Sequence, residues 1–328
     1  MRRARTLVHL GVPAGLTLAL ILGLPASRAL AAPNPNLIIV GSASIEGEIT
    51  SCGCVKRDLG GFARKATLIK QEREDGPVLL LDAGDFGADR GFVPQEKTAF
   101  IFDLMARLGY DAVTPGEREM VPGLDALKQM YAAHPEVNVV SANLMDTSGK
   151  RIWPEYVIVE KGGVKIGVTG VTGNAFYSFN VVRKVQKSDD FKFEDPATAL
   201  RRVVGELQGK VDLVVALVHQ PLPEVKKLVK EVPGVDVALV GHNPKYVFDP
   251  ERSGDTLVLS PGTRGQYLSV LNLTLGPDGS IVSSEGEGKP VTEDYAKDPA
   301  FGPLVSKWEK DWKAREKAHN GEKSEGTR

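Results

Sequence analysis

Two cysteines in 328 residues are too few for a disulfide scaffold. Five histidines put a low ceiling on any imidazole-based metal or catalytic site. Neither charge sign dominates, with 41 Lys and Arg against 42 Asp and Glu, so the broad basic face of a nucleic-acid binder is not expected. Only one apolar run is long, from Leu7 to Leu24, and nothing after it reaches the length of a membrane span. What is present, 42 % hydrophobic residues with 35 Gly and 21 Pro, excludes a collagen-like or wholly disordered chain and suits one large domain.

The long apolar run carries the marks of a secretory signal. Arg2, Arg3 and Arg5 precede it, and Ala29 and Ala31 stand at the two small-residue positions of a cleavage site. Residues 1–31 are therefore expected to leave as a signal peptide, giving a periplasmic or extracellular protein with no membrane segment. Cleavage removes four basic residues and no acidic one, which moves the formal charge from −1 to −5. His9 goes with them, leaving His134, His219, His242 and His319.

From Asn36 onward short apolar runs alternate with amphipathic stretches. Strands are expected at 37–40, 78–81, 137–142, 156–159, 164–168, 213–218, 235–240, 257–259 and 267–275, with a short one near 280–284. Helices are expected at 60–73, 96–108, 124–133, 197–208 and 222–230. Asp195-Pro196 supplies a cap and first-turn proline, and Gly109 and Gly209 stand where helices stop. Lys161-Gly-Gly163 between two runs reads as a β-hairpin. Hairpins mixed with βαβ units imply an α/β domain with more than one sheet, spanning 36–295. A charged helix follows from about residue 300, with Trp308 and Trp312 on one face, and Asn320 to Arg328 is expected to be disordered.

Functional groups gather where strands end, because a rigid strand positions the loop after it. Asp82-Ala-Gly-Asp85 follows one run, Gly116-Glu-Arg-Glu119 another, His219-Gln220 a third and Gly241-His242-Asn243-Pro244 a fourth. Alone, each has a plainer role as a helix cap, a hydrogen-bonded histidine or a solvated charge cluster. Together, two imidazoles and several carboxylates make the donor set of a hard or borderline metal ion.

Gly60-Gly-Phe-Ala-Arg64, Leu80-Leu-Asp-Ala-Gly-Asp85, Leu108-Gly-Tyr-Asp-Ala-Val-Thr-Pro-Gly116, Ser141-Ala-Asn-Leu144, Gly163-Val-Lys-Ile-Gly-Val-Thr-Gly170, Val218-His219, Val240-Gly-His242 and Ser260-Pro-Gly262 occur in that order. This succession resembles the N-terminal metallophosphoesterase domain of the bacterial 5′-nucleotidase and 2′,3′-cyclic phosphodiesterase family, of the calcineurin-like superfamily, over roughly Asn36 to Leu275. The resemblance implies a four-layer α/β/β/α sandwich of two mixed sheets with its site at the sheet edges. It also implies a phosphate ester or nucleotide as substrate and two metal ions about 3.5–4 Å apart. Relatives with full nucleotidase activity carry a second, C-terminal domain for the nucleobase, and this sequence stops soon after the first, so nucleotide specificity in particular has no support in the sequence.

Against that pattern the departures are large. The bridging aspartate matches Asp85, and two histidine ligands match His219 and His242. The opening Asp-x-His falls on Ser44 and Glu46, the Asn-His-Glu block on Glu117, Arg118 and Glu119, and the last ligand on Pro244. The first metal site keeps Asp85 and at most Glu46; the second keeps Asp85, Glu117, His219 and His242. One divalent ion of the Zn or Mn class is the expectation. Arg118 stands where the family has its catalytic histidine. It cannot give up a proton near neutral pH, but its guanidinium can pair with Glu46 or Glu117 in place of the lost ion, or hold a phosphate.

Cys52-Gly-Cys54 leaves three alternatives: a local disulfide, a metal or cofactor contact, or pairing with a partner. The Cys-Gly-Cys loop with the Gly-Glu-Arg block resembles a divergent branch of the same family, part of which resembles companions of multihaem cytochromes; that implies a redox protein partner. Two functions follow as expectations. One is a metal-dependent phosphoester hydrolase, 5′-nucleotidase-like, with a degenerate mononuclear centre. The other is a non-catalytic ligand-binding or redox-accessory protein using Arg118 and the Cys52/Cys54 loop.

Overall fold

Leu37 and Ile39 face one side of the first strand and Ile38 and Val40 the other, and all four are buried. A strand apolar on both faces needs a covering layer on each, and that demand recurs along the chain. The computed structural model describes residues 36–53, 55, 57–173 and 190–325, all within one compact unit, Asn34–Arg328. The expected signal peptide and Cys54 lie outside the described residues.

One sheet runs β14 (Ile281–Pro290), β13 (Tyr267–Leu275), β1 (Asn36–Ser42), β2 (Val78–Asp82), β3 (Ala112–Val113) and β4 (Asn138–Val139). The other runs β11 (Glu251–Ser253), β12 (Thr256–Leu259), β10 (Val237–Gly241), β9 (Leu213–His219), β7 (Val164–Thr172) and β6 (Tyr156–Lys161). β5 (Leu144–Met145) and β8 (Lys192–Phe193) form a small ribbon. Between the sheets lie Leu37, Leu79, Leu81, Val168, Leu217 and Leu239, each worth about 1.5–3 kcal/mol on burial. The outer face of the first sheet packs on α1 (Phe62–Asp75), α2 (Pro94–Leu108), α4 (Leu124–Ala132) and α7 (Phe301–Glu325) through residues such as Phe62, Phe102, Leu127 and Val305. The second packs on α5 (Pro196–Leu207) and α6 (Leu222–Glu231) through Leu200, Val203, Val225 and Leu228. The result is the expected four-layer α/β/β/α sandwich.

Local chemistry sets the boundaries. Asp195 accepts the Thr198 amide at 2.8 Å to cap α5, and Gly109, at φ +72°, ends α2. The expected hairpin is β6–β7. Trp308 stacks on Phe100 at 4.5 Å and on Trp312 at 4.7 Å, which fastens α7 to α2. The short strands β3, β5, β8 and β11 were not expected, and three expected elements differ most in extent. The strand expected at 137–142 shortens to β4, β14 runs on to Pro290, and α7 continues to Glu325, past Asn320 where disorder was expected. β14 pairs along β13 with its outer face in solvent, so its Ser-, Glu- and Gly-rich sequence carries little apolar signal. No helix among the described residues is long and apolar enough to cross a membrane.

Register then prepares the site. Ser42 pairs with Asp82 and Asp82 with Val113 in parallel strands of one sheet, and Gly241 pairs with His219 in the other. The carboxyl ends of five strands thus finish level with one another.

Candidate metal centre

Asp85 comes three residues after β2, Glu117 opens the single turn α3 (Glu117–Met120) after β3, His219 ends β9 and His242 follows β10. Each offers one donor atom, and these atoms all lie within 4.8 Å of one another. The structure therefore brings together the four residues expected from the sequence, two from each sheet. Close approach demands glycine beside them. A Cβ at Gly116 would stand 2.3 Å from Asp85 Oδ1, and one at Gly241 would stand 2.1 Å from the Ala83 oxygen and 2.5 Å from His219 Nδ1. Ser44, Glu46, Asp85 and His242 have φ between +48° and +59°, a region costing about 1–3 kcal/mol for non-glycine residues and commonest at functional sites.

Glu117 links the imidazoles: Oε2 is 2.7 Å from His219 Nε2 and Oε1 is 2.7 Å from His242 Nδ1. His219 Nδ1 donates to the Ala83 carbonyl at 2.6 Å, which fixes the ring and turns Nε2 toward Glu117 and Asp85. Burial would lower the His219 pKa, but Asp85 and Glu117 outweigh it and hold it well above the ordinary value. Burial would raise Glu117, and the two histidines instead hold it below the ordinary carboxylate range. A protonated His219 bonds at both nitrogens. A divalent ion would take that proton's place on Nε2, and the Ala83 contact is the outer support that metal-bound histidines usually have. Two imidazoles and two carboxylates on this support fit such an ion.

Arg118 occupies the neighbouring ground. Its guanidinium lies 2.6 Å from Asp89, 3.5 Å from Asp85 and 3.7 Å from Glu46, and its amide donates to Asp85 Oδ1 at 2.9 Å. Of the two partners the sequence offered, Glu46 is taken; the shortest contact goes to Asp89, which the sequence did not single out. Burial raises the Glu46 pKa against the pull of Arg118. Ser44 accepts the His242 amide on its hydroxyl at 3.2 Å and thereby joins the two sheets.

Behind these groups Glu119 accepts the amides of Asp85, Gly87 and Gly116 at 2.9, 2.6 and 2.8 Å, pinning both carboxylate loops. Burial, reinforced by Asp85, pushes its pKa up to about 8. Asp82 accepts from Ser42 at 2.5 Å and from the Gly84 amide at 2.8 Å; burial pushes it up to about 7, while buried Lys65 is pushed down to about 8. Neither the supporting role of Glu119 nor the electrostatic influence of Lys65 on Asp82 was expected. Cys52 is disulfide-bonded.

Known proteins share this fold. The calcineurin-like phosphoesterase family matches residues 48–246. The 5′-nucleotidase of Bos taurus is 26 % identical over 284 residues, 79 % of this chain and 49 % of that one. The chain thus spans about half the length of the curated relatives it matches. A 5′-nucleotidase precursor from Thermus thermophilus aligns in structure with a TM-score of 0.68 at 24 % identity, covering 82 % of this chain and 57 % of that one. The calcineurin-like phosphoesterase YfkN of Bacillus subtilis aligns at 0.69 and 22 % identity, covering 85 % and 98 %. At these identities the structural likeness establishes the fold.

Proposed function

The chain belongs to the calcineurin-like phosphoesterases, and on that premise we propose that it is an exported phosphate-ester hydrolase. Its centre holds one divalent ion, of the Zn or Mn class, on Asp85, Glu117, His219 and His242. The observation that carries this reading is the convergence of four donors from both sheets within 4.8 Å. Phosphate monoesters, nucleotides among them, are the substrate class, in keeping with the 5′-nucleotidases among its relatives.

The ion, when bound, polarises the phosphate and makes water a better nucleophile. The chain's own residues do the rest. The Asp85 carboxylate is oriented by the Arg118 amide, so one short segment sets both an anionic ligand and the cation beside it. Arg118, held by Asp89, Glu46 and Asp85, offers fixed positive charge to the phosphate oxygens. Water oxygen bonds to phosphorus, the ester P–O bond breaks, and the departing alkoxide takes its proton from solvent, because arginine does not release one. Lack of a general acid typically costs roughly 10² to 10⁴ in rate, so slow turnover is expected.

Purified protein is assayed with 4-nitrophenyl phosphate, its bis-ester and adenosine 5′-monophosphate under Mn²⁺ or Zn²⁺, alongside metal analysis. One bound equivalent and turnover abolished by Asp85→Ala are expected. Absence of bindable metal, or binding unchanged in the His219→Ala/His242→Ala double variant, refutes the centre. A second reading, a non-catalytic ligand-binding or redox-accessory protein, is favoured by two observations. The Arg118 guanidinium contacts three carboxylates, and disulfide-bonded Cys52 lines a cavity of about 110 Å³ with Glu48, Leu59 and Arg264. No turnover above buffer on any ester, with a redox protein such as a multihaem cytochrome co-purifying from the native host, would select it.

A further inference from the structure

The first aspartate of Asp82-Ala-Gly-Asp85 does not belong to the metal-ligand group, yet it is fully buried at the end of β2. Its Oδ1 accepts the Gly84 amide at 2.8 Å. An aspartate that accepts the amide two residues on is a common turn; what sets this one apart is the far end of the same peptide. The Gly84 N–H and the Ala83 carbonyl belong to one peptide group, and that carbonyl accepts His219 Nδ1 at 2.6 Å. A planar trans peptide points its N–H and its C=O in opposite directions. Asp82 thus holds one end of the plane and His219 the other. The series runs carboxylate, peptide, imidazole, and ends on the Nε2 that faces Glu117 and Asp85.

Little room is left for the plane to turn. Gly84 has φ +87°, and a Cβ on it would stand 2.6 Å from the Gly116 nitrogen and 2.9 Å from His219 Nδ1. On either side the backbone is tied to the end of β1: the Ala83 amide donates to the Ser42 carbonyl at 3.0 Å, and the Ser44 amide donates to the Gly84 carbonyl at 2.7 Å. The carboxylate is equally fixed, because Oδ2 accepts the Ser42 hydroxyl, whose oxygen lies 2.8 Å from the Tyr110 hydroxyl. Buried Lys65 lies over the Phe62 ring at 4.5 Å and finds no hydrogen-bond partner for its ammonium among the described residues. Its charge therefore favours ionised Asp82 through space, without drawing the carboxylate away from Gly84. Hydrogen bonds in series polarise one another, so an acceptor on the N–H end makes the carbonyl end a stronger acceptor. Metal-bound histidines often take such support directly from a carboxylate; here the carboxylate acts at one peptide's remove.

We infer that Asp82 is a positioning residue for the metal centre, which orients His219 and strengthens Nε2 as a ligand through the Ala83–Gly84 peptide. The inference rests on the metal-centre reading for the ion, while the link from Asp82 to His219 Nδ1 is a property of the metal-free chain.

The test compares the wild-type full chain with Asp82→Asn, Asp82→Ala and, as a control in the same buried layer, Tyr110→Phe, with folding checked by circular dichroism. Zn²⁺ affinity is measured by competition with a chromophoric chelator at about pH 8, above the value of about 7 to which burial pushes Asp82. The His219 ring is followed by ¹⁵N–¹H correlation spectra of metal-free and Zn²⁺-loaded protein. Loaded wild type should carry its ring proton on Nδ1. Asp82→Ala should bind Zn²⁺ about 10- to 100-fold more weakly, the usual cost of removing a metal-bound histidine's outer support. Asp82→Asn, which keeps an acceptor without the charge, should fall between. In both metal-free variants the Nδ1 proton should move upfield, and Tyr110→Phe should match wild type in affinity and shift. An unchanged Nδ1 proton in Asp82→Asn, a loss of affinity in Tyr110→Phe as large as that in the Asp82 variants, or a loaded wild type with Nδ1 unprotonated overturns the inference. Asp82→Asn, nearly isosteric, carries the comparison if Asp82→Ala does not fold. Wild type that binds no Zn²⁺ removes the metal-centre reading, and the Nδ1 shift between the metal-free proteins then decides the link to His219 by itself.

Discussion

Replacing Arg118 by methionine removes the one cation that three carboxylates share while keeping most of the side-chain volume. Asp85 and Asp89 have side chains about 5 % exposed, Glu46 is 26 % exposed, and Arg118 itself is 9 % exposed. Without Arg118 the carboxylates keep more distant partners, Arg90 at 3.5 Å from Asp89, His219 at 3.6 Å from Asp85 and Arg264 at 3.9 Å from Glu46, and breaking a buried pair in this way costs up to about 3–5 kcal/mol. At roughly 2–4 °C per kcal/mol, that is a fall in Tm of about 6–20 °C. Asp85, Asp89 and Glu46 then form an anionic pocket, so the variant should recover part of the loss when Mn²⁺ is added, and bind more metal than wild type. Differential scanning calorimetry with and without millimolar MnCl₂, paired with metal analysis, reads both effects. A Tm within about 2 °C of wild type, or a variant no more responsive to Mn²⁺, would refute the view that Arg118 stands in for an ion.

Glu117→Gln keeps the shape of the side chain but removes the charge facing both histidines, and metal stoichiometry by elemental analysis should fall well below one while the fold persists. Gly241→Ala pushes a methyl group into the Ala83 carbonyl and His219; a loss of at least about 2 kcal/mol by urea unfolding is expected, comparable to other overpacking changes, and a neutral result would show that this approach is not tight. Asp82 holds a proton in the folded state between its ordinary value of 3.8 and about 7, where the unfolded chain does not. Stability should therefore decline as pH rises through that window, and Asp82→Asn should flatten the decline in denaturant titrations. An unchanged slope would mean that Lys65 keeps Asp82 ionised throughout.

Which parts of this arrangement could be read from the chain depends on the range of the forces involved. β9 and β10 are apolar at nearly every position, so their ends, and with them His219 and His242, were visible as places where an apolar run meets a polar residue. The two-residue strands β3, β4, β5 and β8 are too short for any period to declare itself, and β11 is scarcely longer. α3 looked like a loop because a single turn has no apolar repeat. Glu117 and Arg118 were found through a family pattern at their positions, whereas Asp89 had no signal of its own. Its contact with Arg118 spans 29 residues and exists only once β2 and β3 lie side by side. Glu119 was legible as a residue but not as a support, since its work is done on backbone amides that no sequence pattern marks.

The four donors have a mechanical consequence. Asp85 and Glu117 belong to one sheet, His219 and His242 to the other, and within a layer the strands already hold one another through backbone hydrogen bonds. An ion on all four would be a rivet through the two halves of the sandwich, resisting their separation directly. At a free-ion concentration 100 times Kd it would add about 2.7 kcal/mol to the folded state. Amide exchange should then slow in β2 and β9 together when metal is added, because the slide that exposes one would have to pull out the pin that holds the other.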